Sequence, residues 1–225
     1  MIVCIVVSLA LVVLLIVAQI EAYLARRRGM AGLAKRLGFV FQAAGEVPAE
    51  LAGFQPFGIG EGRIGSNYMF GRIRGLRTTM FDYQYATGSA ANQDIHRFLV
   101  LAVELPLFSP GFAMIHHERL VCMEPGAGSE FIADDEALDR RYRFSGDPSY
   151  GARVLSGDMR EFLRQVKPSN WQMKGQMLVV FVPNARNGKA AEVWVESVTR
   201  FLLFLSVNLM PQPVIVGVRE PALRA

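Results

Sequence analysis

Four arginines, Arg63, Arg72, Arg74 and Arg77, fall within one short stretch that reads as paired strands broken by Gly75. Arg72 and Arg74 are two residues apart, so an extended chain puts both on one face beside the turn. Guanidinium groups gathered at a turn hold phosphate through paired N–H donors, which makes an anionic headgroup the expected ligand. The competing assignment is a set of salt bridges to carboxylates such as Glu61 and Asp82.

Other residues invite other chemistry and support it less. His116, His117 and Glu118 are contiguous, but adjacent strand residues point to opposite faces, so a metal would need a third ligand from elsewhere, such as His96. Asp134, Asp135, Glu136 and Asp139 lack the spacing and the glycine of a calcium loop and read as a solvated helix start, with Asp139, Arg140 and Arg141 in local ion pairs. The glycines of G-I-G-E-G-R (58–63) precede a strand pattern, whereas a phosphate loop opens a helix; a hairpin turn is expected. Cys122 has no histidine whose spatial closeness the sequence establishes, and Ser109 and Ser129 sit in no nucleophile elbow. No catalytic residue, metal site or cofactor is expected.

The elements that must position these groups begin with residues 2–18, an apolar run without charge or proline. Extended through Gln19 and Ile20 it makes a helix roughly 25–30 Å long, enough for a bilayer core. No basic residue precedes it and no small-residue cleavage site follows, so it reads as an uncleaved anchor over 1–25 and not as a signal peptide. Arg26, Arg27, Arg28, Lys35 and Arg36 lie on its C-terminal flank. That asymmetry predicts an outward amino terminus and a cytoplasmic domain on the inner membrane, with these five side chains touching anionic lipid from a basic helix over 26–37.

The chain has 24 basic and 20 acidic residues, net +4, with a pI near 9.3. From Leu37 onward the count is 19 of each, so the excess is juxtamembrane and no nucleic-acid face is expected. Of two cysteines, Cys4 lies in the apolar run and Cys122 lacks a disulfide partner, which suits a reducing compartment.

Residues 38–210 read as one α+β domain and 211–225 as a tail with an edge strand near 214–218. A short helix is expected at 48–52. Strands are expected in FQPFGI (54–59), IGSNYMFGRIR, RTTMFDYQYA and HRFLVLAVELP, then FAMIHHE (112–118), YRFSG (142–146), NWQMKG (170–175) and MLVVFVP (177–183). In FDYQY, Phe81, Tyr83 and Tyr85 share one face and Asp82 and Gln84 the other, as in a half-buried strand. A turn-rich stretch is expected at 125–128, one helix over 149–165 and a long amphipathic helix over 190–209. The fold class is therefore an N-terminal transmembrane helix followed by an antiparallel sheet of six or seven strands covered by a C-terminal helix, a pleckstrin-homology-like order of elements.

Several short motifs, LAKRLGF ending at Phe39, R-I-x-x-N at Arg63–Asn67, FDYQY at 81–85 and RRY at 140–142, together resemble an uncharacterised bacterial family of membrane-anchored single-domain proteins. That resemblance implies the anchored architecture and brings no functional residue. The function expected is a membrane-anchored cytoplasmic binding module that recruits a protein partner or senses anionic headgroups; the alternative is a membrane-tethered enzyme with an unrecognised site.

Overall fold

The apolar run and the basic stretch form one continuous helix, α1 (Ile2–Leu37), in the computed structural model, which describes residues 2–89, 92–117, 129–167, 169–183 and 188–209. Residues 6–25 are exposed, and the helix is long and apolar enough to cross a membrane. Its other end is built into the domain: Met30, Leu33 and Ala34 are buried. Gly38 stops it at φ +69°, with Gly38 N–H donating to the Lys35 carbonyl and Phe39 N–H to the Ala34 carbonyl. This pair of bonds satisfies the last carbonyls and sends the chain back along the helix.

The chain returns as β1 (Val40–Ala44), which the sequence reading missed, and then as an antiparallel meander of β2 (Glu61–Ile73), β3 (Leu76–Ser89) and β4 (Asn92–His116). β5 (Glu130–Phe131) and β6 (Tyr142–Gly146) extend one side of β4, and β7 (Asn170–Pro183) pairs with its other side. The fold is α+β with a seven-stranded sheet in the order β1-β2-β3-β4-β6-β5, and β7 beside β4. The expected C-terminal helix follows the last strand, and the sheet is open.

Both faces of this sheet are covered. One packs Met69, Met80, Leu99, Leu101 and Val180 against α1 and against α5 (Gly188–Leu209), the expected C-terminal helix, whose Phe201 ring stacks on Trp171 at 4.0 Å. The other carries the aromatic row Tyr68, Phe81, Tyr83, Tyr85, Phe98 and Phe181 under Leu51, Phe54 and Phe57. Each fully buried apolar side chain contributes about 1.5–3 kcal/mol, so the two faces together hold α1 and the 45–60 segment on the sheet.

Several expectations are corrected. FQPFGI forms turns and no strand, because Phe54 and Phe57 lie over the aromatic row; the short helix before it is a 3-10 turn, Ala49–Gly53. HRFLVLAVELP and FAMIHHE are one strand, since β4 continues through Ser109-Pro110-Gly111 with register shifts against β7. NWQMKG and MLVVFVP are likewise one strand, with Gly175 at φ +59° opposite that irregularity. The helix expected at 149–165 is two, α3 (Pro148–Val154) and α4 (Asp158–Gln165), broken where Gly157 takes φ +57°. Between β5 and β6 lies a single turn, α2 (Glu136–Asp139). Glu118, Cys122, the 125–128 turn and the tail beyond 210 lie outside the described residues.

Candidate functional site

The site begins with a bulge. Ser66 stands opposite Asp82 and Met69 opposite Met80, so Asn67 and Tyr68 together oppose Phe81. The extra residue reverses the alternation of β2, and Tyr68 joins the aromatic face while Ser66 and Met69 look toward α1. Asn67 takes φ +52°, a conformation asparagine tolerates better than most side chains. Its side chain is buried; Nδ2 donates to Asp82 Oδ2 at 2.9 Å, and Oδ1 accepts no hydrogen bond from the described residues.

Asp82 and Gln84 do lie opposite the aromatic residues, but that face is not left to solvent. Helix α1 crosses it, and Arg26 donates from Nε to Asp82 Oδ2 at 3.0 Å and from Nη2 to Oδ1 at 2.6 Å. One carboxylate thus receives a two-point guanidinium contact and an amide, the strongest kind of local polar anchor. Above it opens a groove of about 730 Å³. Gln19, Ala22 and Tyr23 form its helix wall, Asn67 and Asp82 its floor, and Ile95, Arg97 and Leu99 its sheet wall. Arg26, Asp82 and Arg97 are the charged side chains among the described residues lining it, and Arg97 Nε donates to Gln84 Oε1 at 3.4 Å.

Helix direction fixes which end of the domain lies near the apolar segment. Arg26 sits at the level of Asp82, and Phe39 lies against Gly71, so α1 runs toward the β2–β3 turn as its numbers rise. That turn is the two-residue Arg74-Gly75, with φ +52° and +80°, and Arg72 stands directly opposite Arg77. From Ser66 to Arg74 the strand covers roughly 26 Å, and from Arg26 back to Ile20 the helix covers roughly 9 Å the other way. The arginine turn therefore lies on the order of 30 Å from the end of the apolar run.

This separates the expected headgroup residues. Arg63 is at the opposite end of β2 and donates to the Phe57 carbonyl at 3.1 Å, so it does not join the other three. Arg72 folds onto the Gly75 carbonyl at 2.7 Å and Arg77 pairs with Glu104 at 3.3 Å, a salt bridge of the competing kind with a different carboxylate from Glu61 or Asp82. Of the juxtamembrane set, Arg26 is taken by Asp82, Arg36 pairs with Glu192 at 2.8 Å, and Arg28 lies 3.8 Å from Glu21. Arg27 and Lys35 are exposed.

The remaining candidates have structural roles. His116 packs edge-on against Tyr142 while His117 Nε2 meets the Asp139 carbonyl at 3.0 Å, and His96 lies at the other end of β4 beside Thr87. Asp135 caps α2 and pairs with Arg164 at 2.6 Å; Glu136 pairs with Arg140; Asp139 accepts the Ala133 and Asp135 N–H groups. Arg141 closes the end of α4 through the Leu163, Arg164 and Val166 carbonyls. Gly60, at φ +66°, lets the 58–63 stretch pass close to the Ala86 carbonyl before β2 begins, as a turn and with no helix after it. Burial pushes the Tyr83 hydroxyl up, with Arg63 partly offsetting, and burial with Glu46 pushes Tyr68 to about 12. Both hydroxyls stay protonated near neutral pH.

No family model matches the chain, and no curated protein matches it. Among solved structures, the crystal structure of the mycobacterial trehalose monomycolate transport factor A, TtfA, is similar, with a TM-score of 0.60 and 16% identity over 83% of this chain and 97% of that one. At this identity the likeness is one of fold.

Proposed function

We propose that this chain is a membrane-anchored, non-catalytic factor in the transport of a lipid-like molecule, with its domain on the cytoplasmic face as a binding module. The observation that carries this reading is α1, apolar and bare over one half and part of the domain core over the other. A helix without a break between the two halves holds the domain at a fixed attitude to the bilayer, as a docking factor requires and a freely tethered enzyme does not. The fold shared with a transport factor supports the role, and the basic flank after the apolar run supports the inward orientation. Within that role the module recruits a protein partner or meets headgroups through Arg27 and Lys35.

Pulse-labelling of envelope lipids in cells lacking the chain tests the proposal. A precursor should be made at its normal rate and accumulate before export, and the full chain should restore its movement. Loss of synthesis would point to an enzyme, and unchanged distribution of every labelled lipid would overturn the transport role.

A further inference from the structure

The groove between α1 and the sheet carries one cation that the protein does not spend on itself. Arg26 and Asp82 neutralise each other, while Arg97 on the sheet wall is exposed and pairs with no carboxylate among the described residues. Its Nε reaches only Gln84 Oε1, at 3.4 Å, a long and neutral contact that leaves the guanidinium charge uncompensated. Depth sets what meets that charge. Arg97 stands opposite Gln84, two residues along β3 from Asp82 and away from the arginine turn. Two strand residues are roughly 7 Å and Arg26 marks the level of Asp82, so Arg97 lies level with Ala22. Ala22 is roughly 3 Å along the helix from Ile20, where the apolar run ends. The headgroup layer extends about 5–7 Å beyond the hydrocarbon on each side of a bilayer. With α1 across the membrane, the Arg97 guanidinium stands at the depth of lipid phosphates.

The neighbours of Arg97 suit the same ligand. Gln19 and Tyr23 on the helix wall, both exposed, bring an amide and a hydroxyl to the groove, and each has a hydrogen to donate. A phosphodiester offers acceptors only and carries one negative charge, so it complements a guanidinium beside such donors. A headgroup without net charge leaves the cation uncompensated, and a zwitterionic one brings a second cation beside it. Ile64 and Ile95, each about half exposed, flank the Arg97–Gln84 pair on the same sheet face. They supply apolar contact for the glycerol and first acyl carbons, while the chains stay in the bilayer beside α1.

We infer that this groove binds the phosphodiester of an anionic phospholipid, with Arg97 as the cation that meets it. The inference rests on the proposed membrane-spanning reading of α1 and adds the lipid class and the residue that selects it.

The full chain in detergent micelles would be titrated with phosphatidylglycerol, phosphatidylcholine of the same acyl chains, and free glycerol phosphate, with bound ligand counted by native mass spectrometry. One phosphatidylglycerol should be retained in preference to phosphatidylcholine, and glycerol phosphate at equal concentration should not displace it. Arg97→Gln, at an exposed strand position, should weaken that binding about tenfold, the scale of one charge-assisted hydrogen bond. Arg27→Gln removes a charge of the same sign outside this groove and should leave the binding unchanged. Ala22→Trp, at an exposed helix position, keeps every charge, fills the groove and should abolish retention. Equal retention of phosphatidylcholine would overturn the anionic assignment, and displacement by glycerol phosphate would overturn the lipid. Equal weakening by Arg97→Gln and Arg27→Gln would show diffuse attraction in place of a site, and undiminished binding by Ala22→Trp would overturn the groove. Extraction of the chain from membranes by alkaline carbonate would overturn the spanning reading as well; a chain that stays in the membrane and shows no preference for phosphatidylglycerol overturns the groove inference alone.

Discussion

Arg26 of the N-terminal helix meets Asp82 of the third strand in a two-point contact, 2.6 and 3.0 Å, across 56 residues of sequence. Asn67 donates to the same carboxylate, and through it the helix, the bulge of β2 and the centre of β3 are tied together. The contact is partly shielded, with about a fifth of each side chain exposed, so it is worth more than a surface ion pair.

Breaking it should loosen the helix from the sheet. Arg26→Met or Asp82→Asn should each lower unfolding stability by about 2 kcal/mol, the scale of charge-assisted hydrogen bonds. The double variant should cost less than the sum of the two, which urea unfolding of all four chains would measure. Strict additivity would show that the pair does not couple.

A chain begun at Leu37 loses Met30, Leu33 and Ala34 from the core along with Arg26. It should unfold without a cooperative transition and bind a hydrophobic dye, whereas a chain begun at Ala22 should melt sharply. Leu33→Ala in the full chain should cost about 3 kcal/mol. Calorimetry of the three proteins is the check, and a cooperative transition from the Leu37 chain would contradict the packing.

Depth should separate the two ends of the domain. With the full chain in anionic nanodiscs, an environment-sensitive probe on a cysteine placed at Ile95 should report the headgroup region, and one at Arg74 should report water. Charges are screened over about 8 Å at physiological ionic strength, far less than the distance from the arginine turn to the span. Arg72→Gln, Arg74→Gln and Arg77→Gln together should therefore leave the Ile95 signal unchanged. A probe at Arg74 that responds to lipid would reverse this orientation of the domain.

Acid should weaken the fold through Asp135. Burial pushes its carboxyl up, but the hydrogen bonds from Arg164 and from the Leu138 and Ala137 N–H groups outweigh burial and hold it below the ordinary carboxylate range. A depressed folded-state pKa contributes stability above the unfolded value of about 3.9 that is lost as pH falls through the folded value. Melting temperature should hold steady down to about pH 5 and drop below about pH 4. Asp135→Asn should be less stable at neutral pH and show a shallower drop; an identical acid profile would remove Asp135 as its source.

Much of this protein follows from local pattern. Residues 2–18 can form nothing but an apolar helix, Phe81, Tyr83 and Tyr85 alternate onto one face, YRFSG is β6 as read, and α5 carries its apolar stripe from Trp194 to Leu205. These are signals of period 2 or 3.6 within single elements, where the side chains that decide the structure are neighbours in sequence. Tertiary structure alone decided the rest. Asn67 reverses the facing of β2, and a bulge changes parity without any change in composition. β4 and β7 run on through Pro110 and Gly175 because each strand is the other's ladder. The polar face of Asp82 and Gln84 looks solvent-directed by alternation, yet it faces α1, since the Arg26 that compensates Asp82 comes from a distant part of the chain. The groove exists only where helix and sheet meet, and no one segment encodes it.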